Sequence, residues 1–402
     1  MNIVVIGAGY AGLTAALRLD RTHHITLISA DAHFTQRIRL HELAAGRPTV
    51  RVPLAELTRG TGIETVVARV AGLDPSARVV RTEDGREFGY DTLVYALGSR
   101  TDVGVPGVAE HAYTAESAAA LRTRLTAGTG TGTGAGAVAA AGGTAAVGGA
   151  ATGGEVAVVG GGLTGVEMAA ELAEAYPAWK VTLVSAAEPR LSARGRRHLA
   201  RALARLGVAT RYGVRASGVS AGTVHTSGGD ISADVIVWAG SFTVPALAAE
   251  AGLAVNSRGR ALVDATMRSV SHPDVYVVGD AAAVPIPGAG ESRMSCAVGM
   301  PIAAHAADVV NARAAGRPAR PFRFRYLIQC VSIGRRDGVI QFVRYDDSPK
   351  ELVLRGRVAA WVKEQVCRFT VGSLRLERRR PGTYLWPAGK SQDSRQAELI
   401  IS

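Results

Sequence analysis

Residues 2–12 read Asn-Ile-Val-Val-Ile-Gly-Ala-Gly-Tyr-Ala-Gly, and this stretch decides the fold. The apolar run before Gly7 predicts a buried parallel strand, and the residues after Gly12 predict a helix. A G-x-G-x-x-G sequence between a strand and a helix is typical of a dinucleotide site. Gly7 permits the tight turn, Gly9 lets a pyrophosphate approach the backbone, and Gly12 lets the helix pack closely on the strand. The helix N-terminus then offers free N–H groups to the phosphates.

The same pattern returns in the middle of the chain. Residues 155–159 predict a second buried strand, and Gly160, Gly162 and Gly165 form a second G-x-G-x-x-G sequence ahead of a predicted helix. One such motif is weak evidence, whereas two motifs in the correct context indicate two dinucleotide sites.

Three further strands are predicted to end in glycine. Residues 90–99 contain a buried strand that ends near Gly98, and residues 234–240 repeat this pattern in the second unit. Residues 274–280 predict another buried strand that ends in Gly279 and Asp280. Ligands of parallel sheets lie at the carboxyl ends of the strands, so Gly98, Gly279 and Asp280 are candidate cofactor contacts. The alternative for Asp280 is an ordinary cap or turn.

The acid that usually binds a ribose hydroxyl is missing from both units. In the first unit Ser29 ends the second strand, and Asp31 is the candidate substitute. Arg37 belongs to a charged stretch just beyond, which predicts either a ligand-facing segment or an ordinary exposed turn. In the second unit the strand ends at Ser185, whose hydroxyl can bind a ribose hydroxyl or a phosphate. We therefore expect NADPH to be accepted at a rate within about tenfold of NADH.

Length and composition bound the class of protein. A chain of 402 residues, 47% of them hydrophobic, predicts two or three domains with a large core. Cys296, Cys330 and Cys367 are scattered, which argues against a disulfide scaffold, a metal site or a dithiol centre and favours a cytoplasmic location. Residues 128–154 contain 11 glycines in 27 positions and predict a flexible linker rather than a membrane span.

The positive charge is concentrated at the C-terminus. The chain carries a net charge of +12, and residues 317–402 contain 18 Lys and Arg against 8 Asp and Glu. This segment suggests peripheral contact with an anionic membrane face, with a solvated basic surface as the alternative. Residues 358–366 predict either an interfacial helix or a packed one. No base-stacking module is evident, so nucleic acid is not an expected partner.

The motifs, in their order along the chain, resemble those of the two-dinucleotide-binding-domain flavoproteins. The chain is most similar to the type II NADH dehydrogenase and apoptosis-inducing-factor-like branch. The resemblance implies an α/β fold with two Rossmann-like domains, one for FAD and one for NAD(P)H, and a small C-terminal domain. The implied divisions are a first FAD-binding part at 1–115, an NAD(P)H-binding domain at 116–240, a second FAD-binding part at 241–318 and a basic domain at 319–402.

The resemblance also assigns roles to particular residues. Gly7, Gly9 and Gly12 would hold the FAD pyrophosphate, with Asp280 at the ribityl or phosphate region. The second glycine set would hold NAD(P)H, with Glu167 near the nicotinamide. A helix predicted over Pro301 to Ala314 would place its N-terminus near Met300 and Pro301, where it stabilises negative charge on the reduced flavin. Glu167, Met300 and Pro301 are therefore the candidate catalytic residues.

The implied activity is transfer of a hydride from NAD(P)H to FAD, followed by passage of electrons to a quinone or quinone-like acceptor. Residues 295–301 lack the glutamines that type II NADH dehydrogenases carry near the quinone, and the chain lacks the cysteine pair of the disulfide reductases. Two alternatives stay open. One is a flavoenzyme that acts directly on a small metabolite with the nicotinamide site unused. The other is a redox-sensing protein that docks a partner through its basic C-terminus.

Overall fold

The computed structural model describes residues 1–48, 50–128 and 153–389, and most of the predicted linker at 128–154 lies outside them. Within the described residues the chain forms ten α-helices. In chain order these are α1 (Tyr10–Arg18), α2 (Leu40–Ala44), α3 (Leu54–Thr58), α4 (Val108–His111), α5 (Ala118–Ala127), α6 (Leu163–Ala175), α7 (Ala193–Arg205), α8 (Leu247–Glu250), α9 (Cys296–Ala314) and α10 (Gly356–Arg379).

The same residues form 26 β-strands. The first thirteen are β1 (Asn2–Ile6), β2 (His24–Ser29), β3 (His33–Thr35), β4 (Arg51–Pro53), β5 (Glu64–Val67), β6 (Val70–Asp74), β7 (Val79–Thr82), β8 (Glu87–Gly89), β9 (Thr92–Tyr95), β10 (Arg100–Thr101), β11 (Glu155–Val159), β12 (Lys180–Ser185) and β13 (Ala209–Tyr212). The others are β14 (Ala216–Ser220), β15 (Thr223–Thr226), β16 (Ile231–Ser232), β17 (Val235–Trp238), β18 (Phe242–Thr243), β19 (Ala261–Leu262), β20 (Val275–Val277), β21 (Ala282–Ala283), β22 (Pro285–Ile286), β23 (Gly290–Glu291), β24 (Ile328–Ser332), β25 (Gly338–Val343) and β26 (Pro349–Arg355).

Two parallel sheets carry the two glycine motifs. The first has the strand order β20-β9-β1-β2-β5, and the second has the order β13-β12-β11-β17. In the first sheet Ile6 ends β1 beside Ile28 of β2 and Tyr95 of β9. In the second sheet Val159 ends β11 between β12 and β17 in the same way. The α/β fold with two similar parallel units, expected from the repeated motif, is thus confirmed.

The first sheet is buried on both faces, which explains the unbroken apolar runs of its strands. Residues 3–6 of β1 are each at most 2% exposed. Helix α1 buries eight of its nine residues because it lies between this sheet and the rest of the same core, to which α9 also contributes. The motif is therefore held on a rigid support, which a precise phosphate site requires.

The C-terminal region bridges the two units. Strands β24, β25 and β26 form an antiparallel sheet, and the 24-residue helix α10 follows. Val331 and Val339 of this sheet join the core of the second unit. Leu374 of α10 joins the core of the first unit, and Arg18 of α1 donates to Glu377 of α10 at 2.8 Å. The region that holds most of the excess positive charge therefore contacts both units.

The start of α9 differs from the sequence prediction. The helix begins at Cys296 rather than near Pro301, so Met300 and Pro301 are buried in its second turn and do not form its N-terminus. Proline is tolerated best in a first turn, which is why the sequence pattern favoured the later start. Inside a helix it costs about 3 kcal/mol. The apolar residues of α9 outweigh this cost because nearly all of them are buried. The first turn of the helix is formed by residues 296–299 instead, and the N–H of Gly299 already donates to the Ser295 carbonyl oxygen at 2.9 Å.

Candidate active site

A cavity of about 490 Å³ lies at the carboxyl ends of β1, β2, β9 and β20. We call it the nucleotide cavity. It is lined by the first glycine motif and by residues from six other segments of the chain. The predicted residues among its lining are Gly7, Gly9, Asp31, Arg37, Gly98, Gly279 and Asp280. The structure thus brings together residues that the sequence places almost 280 positions apart.

The glycines of the first motif have separate roles. Gly7 has a φ of +97°, and a Cβ atom there would lie 2.5 Å from the Ala96 carbonyl oxygen. A Cβ atom on Gly12 would lie 1.8 Å from the Gly7 carbonyl oxygen, so helix and turn are in close contact. A Cβ atom on Gly9 would meet no protein atom within 4 Å. The space beside Gly9 is the cradle in which a pyrophosphate fits, and it opens into the nucleotide cavity.

Asp280 lies at the floor of the nucleotide cavity. It follows β20 in a short 3-10 turn, and its carboxylate accepts a hydrogen bond of 2.6 Å from the Ser99 hydroxyl. Burial raises the pKa of Asp280, although Ser99 and the Arg37 guanidinium oppose the shift. Gly279 has a φ of +71°, so the left-handed turn that aims Asp280 into the cavity favours glycine. A buried acceptor at this place fits the hydroxyl-rich ribityl chain of FAD.

Asp31 and Arg37 line the rim of the same cavity. The Asp31 carboxylate accepts from the Arg51 guanidinium at 2.6 Å and from the His33 backbone N–H at 2.9 Å. These bonds lower the pKa of Asp31 against the opposing effect of burial. Arg37 donates to the Ser99 carbonyl oxygen at 2.5 Å and to Glu116 at 2.8 Å. Asp31 is thus ionised at the rim of the nucleotide cavity, and its contact with a ribose stays a prediction.

The second glycine motif repeats the geometry of the first. Gly160 has a φ of +132°, and a Cβ atom there would lie 2.3 Å from the Ala239 carbonyl oxygen. A Cβ atom on Gly165 would lie 1.9 Å from the Gly160 carbonyl oxygen, whereas Gly162 faces open space. The three contacts match those of Gly7, Gly12 and Gly9 in turn. The second unit therefore offers its own phosphate cradle.

The Ser185 hydroxyl is less available to bind a ribose hydroxyl or a phosphate than the sequence suggested. Its hydroxyl donates to the Ala187 carbonyl oxygen at 2.7 Å and accepts from the Ala187 N–H at 3.2 Å. The side chain thus closes the turn after β12 and is buried. The next acid, Glu188, pairs with Arg196 of α7 at 3.1 Å. The ribose end of the second site therefore has no free carboxylate near the strand end among the described residues.

Glu167, in the second turn of α6, faces the C-terminal helix. Its carboxylate lies 2.9 Å from the Lys363 ammonium of α10 and accepts a 3.0 Å bond from the Ser332 N–H. His41 Nδ1 lies 3.9 Å away. Burial acts to raise the pKa of Glu167, but Lys363 and His41 bring it below its ordinary value. Burial alone would lower the pKa of Lys363, yet the same carboxylate raises it. The pair is ionised at neutral pH.

The three cysteines converge on Lys363. Burial raises the pKa of Cys296 to about 12 and that of Cys330 to about 11, in each case against the positive charge of Lys363. Burial also raises the pKa of Cys367, which Lys363 again opposes. Cys296 lines the nucleotide cavity, so Lys363 stands within electrostatic reach of that cavity. Sequence reasoning missed this cluster because no local spacing connects residues that only the tertiary fold brings together.

A second cavity of about 460 Å³ is lined by Lys363 and by other residues of α10. We call it the arginine cavity. Its lining comes from α2, the segment between β24 and β25, and the first half of α10, and consists of Glu42, Ser332, Gly334, Arg335, Arg336, Arg357, Ala360, Trp361, Lys363, Glu364 and Cys367. Lys363 and Cys367 are both part of this lining, and neither is part of the lining of the nucleotide cavity. A small molecule in the arginine cavity would lie beside Lys363.

Comparison with known proteins agrees with this arrangement. Residues 1–309 match the sequence profile of the pyridine nucleotide-disulphide oxidoreductases. A NADH dehydrogenase-like protein of Mycobacterium tuberculosis is 29% identical over 385 residues, which cover 91% of this chain and 92% of that protein. A type II NADH:quinone oxidoreductase of Staphylococcus epidermidis is 32% identical over 125 residues, 29% of this chain and 31% of that protein.

Solved structures share the fold at lower identity. The sulfide:quinone oxidoreductase of Aquifex aeolicus superimposes with a TM-score of 0.76 at 20% sequence identity. The matched region covers 95% of this chain and 93% of the oxidoreductase chain. NDH2 from Plasmodium falciparum in complex with NADH superimposes with a TM-score of 0.73 at 15% sequence identity. The matched region covers 95% of this chain and 99% of the NDH2 chain. The α/β architecture with two nucleotide-binding units is common to all three.

Proposed function

The chain belongs to the pyridine nucleotide-disulphide oxidoreductase family and is an NAD(P)H-dependent flavin oxidoreductase, and we propose that its electron acceptor is a quinone or quinone-like aromatic bound beside Lys363. The observation that carries the proposal is the position of Lys363. Its ammonium pairs with Glu167 and lines the arginine cavity, and its charge acts on Cys296, which lines the nucleotide cavity. The relative named as a type II NADH:quinone oxidoreductase supports a quinone as the acceptor class.

The residues of the nucleotide cavity fit FAD. The space at Gly9 takes the pyrophosphate, and the buried Asp280 takes a hydroxyl of the ribityl chain. The start of α9 borders the cavity, because Ser295, Cys296 and Gly299 are part of its lining. When bound, FAD accepts a hydride from NAD(P)H and passes two electrons on. The start of α9 would then stabilise negative charge in the cavity by about 0.3–1 kcal/mol or more.

Lys363 is the residue that we propose to act on the acceptor. Reduction of a quinone to a hydroquinone requires two electrons and two protons, so negative charge develops on a carbonyl oxygen. A fixed cation in a water-poor site stabilises such charge far better than water does. Lys363 is held in place by Glu167, and His41 stands behind Glu167 with a pKa that burial lowers. Lys363 can therefore stabilise negative charge on the oxygen, whereas its raised pKa makes it a poor proton donor.

The test separates the two half-reactions. Lys363→Met removes the charge but leaves Glu167 buried and unpaired, which costs about 3–5 kcal/mol. The variant is therefore made together with Glu167→Gln, and its FAD content is measured. Relative to the single variant Glu167→Gln, we expect reoxidation of the NADH-reduced flavin by 2-methyl-1,4-naphthoquinone to slow at least tenfold, or about 1.4 kcal/mol in the barrier. Reoxidation at the rate of the single variant would contradict a role for Lys363 at the acceptor.

We also propose peripheral contact between α10 and an anionic membrane surface. None of the described helices is long and apolar enough to cross a membrane. Helix α10 nevertheless exposes Val358, Trp361, Phe369 and Leu376, which its 3.6-residue repeat places along one side. Arginines border this side. An amphipathic helix with these properties binds in the headgroup region of a bilayer, which would place the arginine cavity close to the membrane surface.

A further inference from the structure

The arginine cavity is strongly cationic. Of its eleven lining residues four are Lys or Arg and two are acids. An adjoining cavity of about 650 Å³ shares Glu42, Arg335 and Glu364 with it and adds Arg39, Arg47, Arg368 and Arg375. A concave site with this charge concentrates anions from solution.

The two acids are already used by other cations. Glu42 accepts from Arg39 at 3.0 Å and from Arg335 at 3.0 Å. Glu364 accepts from Arg39 at 2.9 Å and from Arg368 at 2.7 Å. Neither carboxylate is left to neutralise a further arginine, so the excess charge of the cavity stays positive.

Arg336 and Arg357 supply that excess. No hydrogen bond or ion pair from either guanidinium occurs among the residues that the structure describes, and both side chains are exposed. Asp337, the acid next to Arg336, is taken by His198 at 2.7 Å. Beside them, Nε of Arg335 is buried without a hydrogen-bond partner. A guanidinium presents planar paired donors that match a carboxylate, sulfonate or phosphate.

The N-terminus of α10 adds to the positive charge of the arginine cavity. Arg357, Ala360 and Trp361 of its first two turns line the cavity. The N-cap residue Arg355 gives no side-chain hydrogen bond, and the first turn contains no acid. The positive end of a 24-residue helix therefore lies at a cavity edge without an internal anion to complement it.

The remaining residues that line the arginine cavity suit an aromatic ring better than a long hydrocarbon tail. Apolar contact in the arginine cavity comes mainly from Ala360, Trp361 and Cys367. Trp361 is 64% exposed and offers an indole face. Aromatic rings stack on such a face, whereas a long hydrocarbon tail would lie against arginines. The volume of about 460 Å³ is that of a small-molecule site.

We propose that the acceptor is an acidic aromatic quinone, whose carboxylate, sulfonate or phosphate binds Arg336 and Arg357 while its ring lies over Trp361 beside Lys363. This inference rests on the proposed function, because it names the chemical class of the acceptor at the same site. The balanced reaction is NAD(P)H plus a proton plus the quinone, giving NAD(P)⁺ and the hydroquinone. The acidic group takes no part in the chemistry and fixes the orientation of the ring.

The experiment compares two acceptors, 1,4-naphthoquinone-2-sulfonate and 2-methyl-1,4-naphthoquinone, at saturating NADH without oxygen. The readout is the ratio of their kcat/KM values, sulfonate over neutral. In the double variant Arg336→Gln, Arg357→Gln this ratio is expected to fall at least tenfold, because the charge-assisted hydrogen bonds to the sulfonate are lost. The matched control, Arg59→Gln, Arg317→Gln, removes two exposed arginines outside both cavities and should keep the wild-type ratio.

A second measurement uses the wild-type protein alone. Raising the salt from 0.1 M to 1 M shortens the screening length from about 10 Å to about 3 Å, so kcat/KM should fall for the sulfonate and hold for the neutral quinone. A ratio unchanged in the Arg336, Arg357 variant overturns the inference. Loss of anionic-vesicle binding with an unchanged ratio also overturns it and assigns the two arginines to lipid headgroups. If neither quinone reoxidises the NADH-reduced flavin, the proposed function fails as well.

Discussion

Gly9 and Gly12 show how one motif divides its tasks between residues. Gly12 is required by the protein itself, because a side chain there would collide with the Gly7 carbonyl oxygen. Gly9 is required only by the ligand, because a side chain there would project into empty space. A substitution at Gly9 therefore tests the cofactor without disturbing the fold.

Gly9→Val is expected to fold and to lose FAD, since the branched side chain occupies the place of the pyrophosphate. The measurement is the flavin absorbance of the purified protein relative to its protein absorbance. Gly89→Val is the matched control, because Gly89 ends β8 and also faces open space, away from the nucleotide cavity. A Gly9→Val protein with stoichiometric FAD would show that the phosphate site lies elsewhere.

Glu171 is a buried carboxyl group that no direct hydrogen bond satisfies. It lies one turn after Glu167 and is 1% exposed, and neither of its oxygens has a hydrogen-bond partner among the described residues. Arg47 and Arg335 approach it only to 3.6 Å and 3.8 Å. Burial raises its pKa from 4.5 to about 7, against the two guanidinium groups. The folded protein therefore binds this proton more tightly than the unfolded chain does.

The raised pKa of Glu171 makes the stability of the folded protein depend on pH. Because the folded pKa is raised, the stabilisation is full below pH 4.5 and is lost as the pH rises toward and through 7. One pKa unit corresponds to about 1.4 kcal/mol. Glu171→Gln should therefore have a higher Tm than the wild type at pH 8, and a smaller advantage or none at pH 5. The same Tm difference at both pH values would mean that Glu171 does not titrate in this range.

Among the helices and strands, the sequence predicted correctly those whose bounds are set by a local sequence pattern. The strands β1, β11 and β12 have the predicted bounds, because their apolar runs and glycine ends are local signals. The turn between β7 and β8 has a local signal of the same kind, because Gly85 there has a φ of +82°, which favours glycine. The start of α9 was wrong because the preference of proline for a first turn is weaker than the burial of a whole helix.

The acceptor side of the site could not be predicted in this way. Lys363 and Glu167 are almost 200 residues apart, and their pairing depends on the path of α10 across both units. The roles expected of Glu167 near the nicotinamide, and of Met300 and Pro301 in catalysis, stay predictions. What the structure adds is that Glu167 faces Lys363, a partner that no local spacing indicated.

Helix α10 is the element on which membrane contact depends. We expect the protein to sediment with vesicles of anionic lipid at low salt, and to do so less as salt screens the arginines. Trp361→Ser with Phe369→Ser should weaken sedimentation, because both rings are exposed on the apolar side. The control is Tyr345→Ser, which removes an exposed ring outside α10. No sedimentation of the wild type at low salt would contradict membrane attachment.

For the whole molecule, the choice of coenzyme depends on charges at the second unit. The acid that repels the NADPH phosphate is absent at Ser185, and Glu188 is neutralised by Arg196. We expect NADPH to bleach the flavin at a rate within about tenfold of NADH, or about 1.4 kcal/mol in the barrier. Glu188→Gln should shift the ratio further toward NADPH. A preference of more than a hundredfold for NADH in stopped-flow bleaching would mean that Glu188 binds the ribose.

In the proposed mechanism, electrons pass from NAD(P)H in the second unit to FAD in the nucleotide cavity and then to an acceptor beside Lys363. Anaerobic double-mixing stopped flow tests it most directly. NADH is mixed with the protein until the flavin absorbance is lost, and 2-methyl-1,4-naphthoquinone is then added. We predict that the absorbance returns at a rate at least as high as kcat, which makes the quinone a kinetically competent acceptor. Bleaching by NADH without return of the absorbance on adding the quinone would contradict the proposed acceptor.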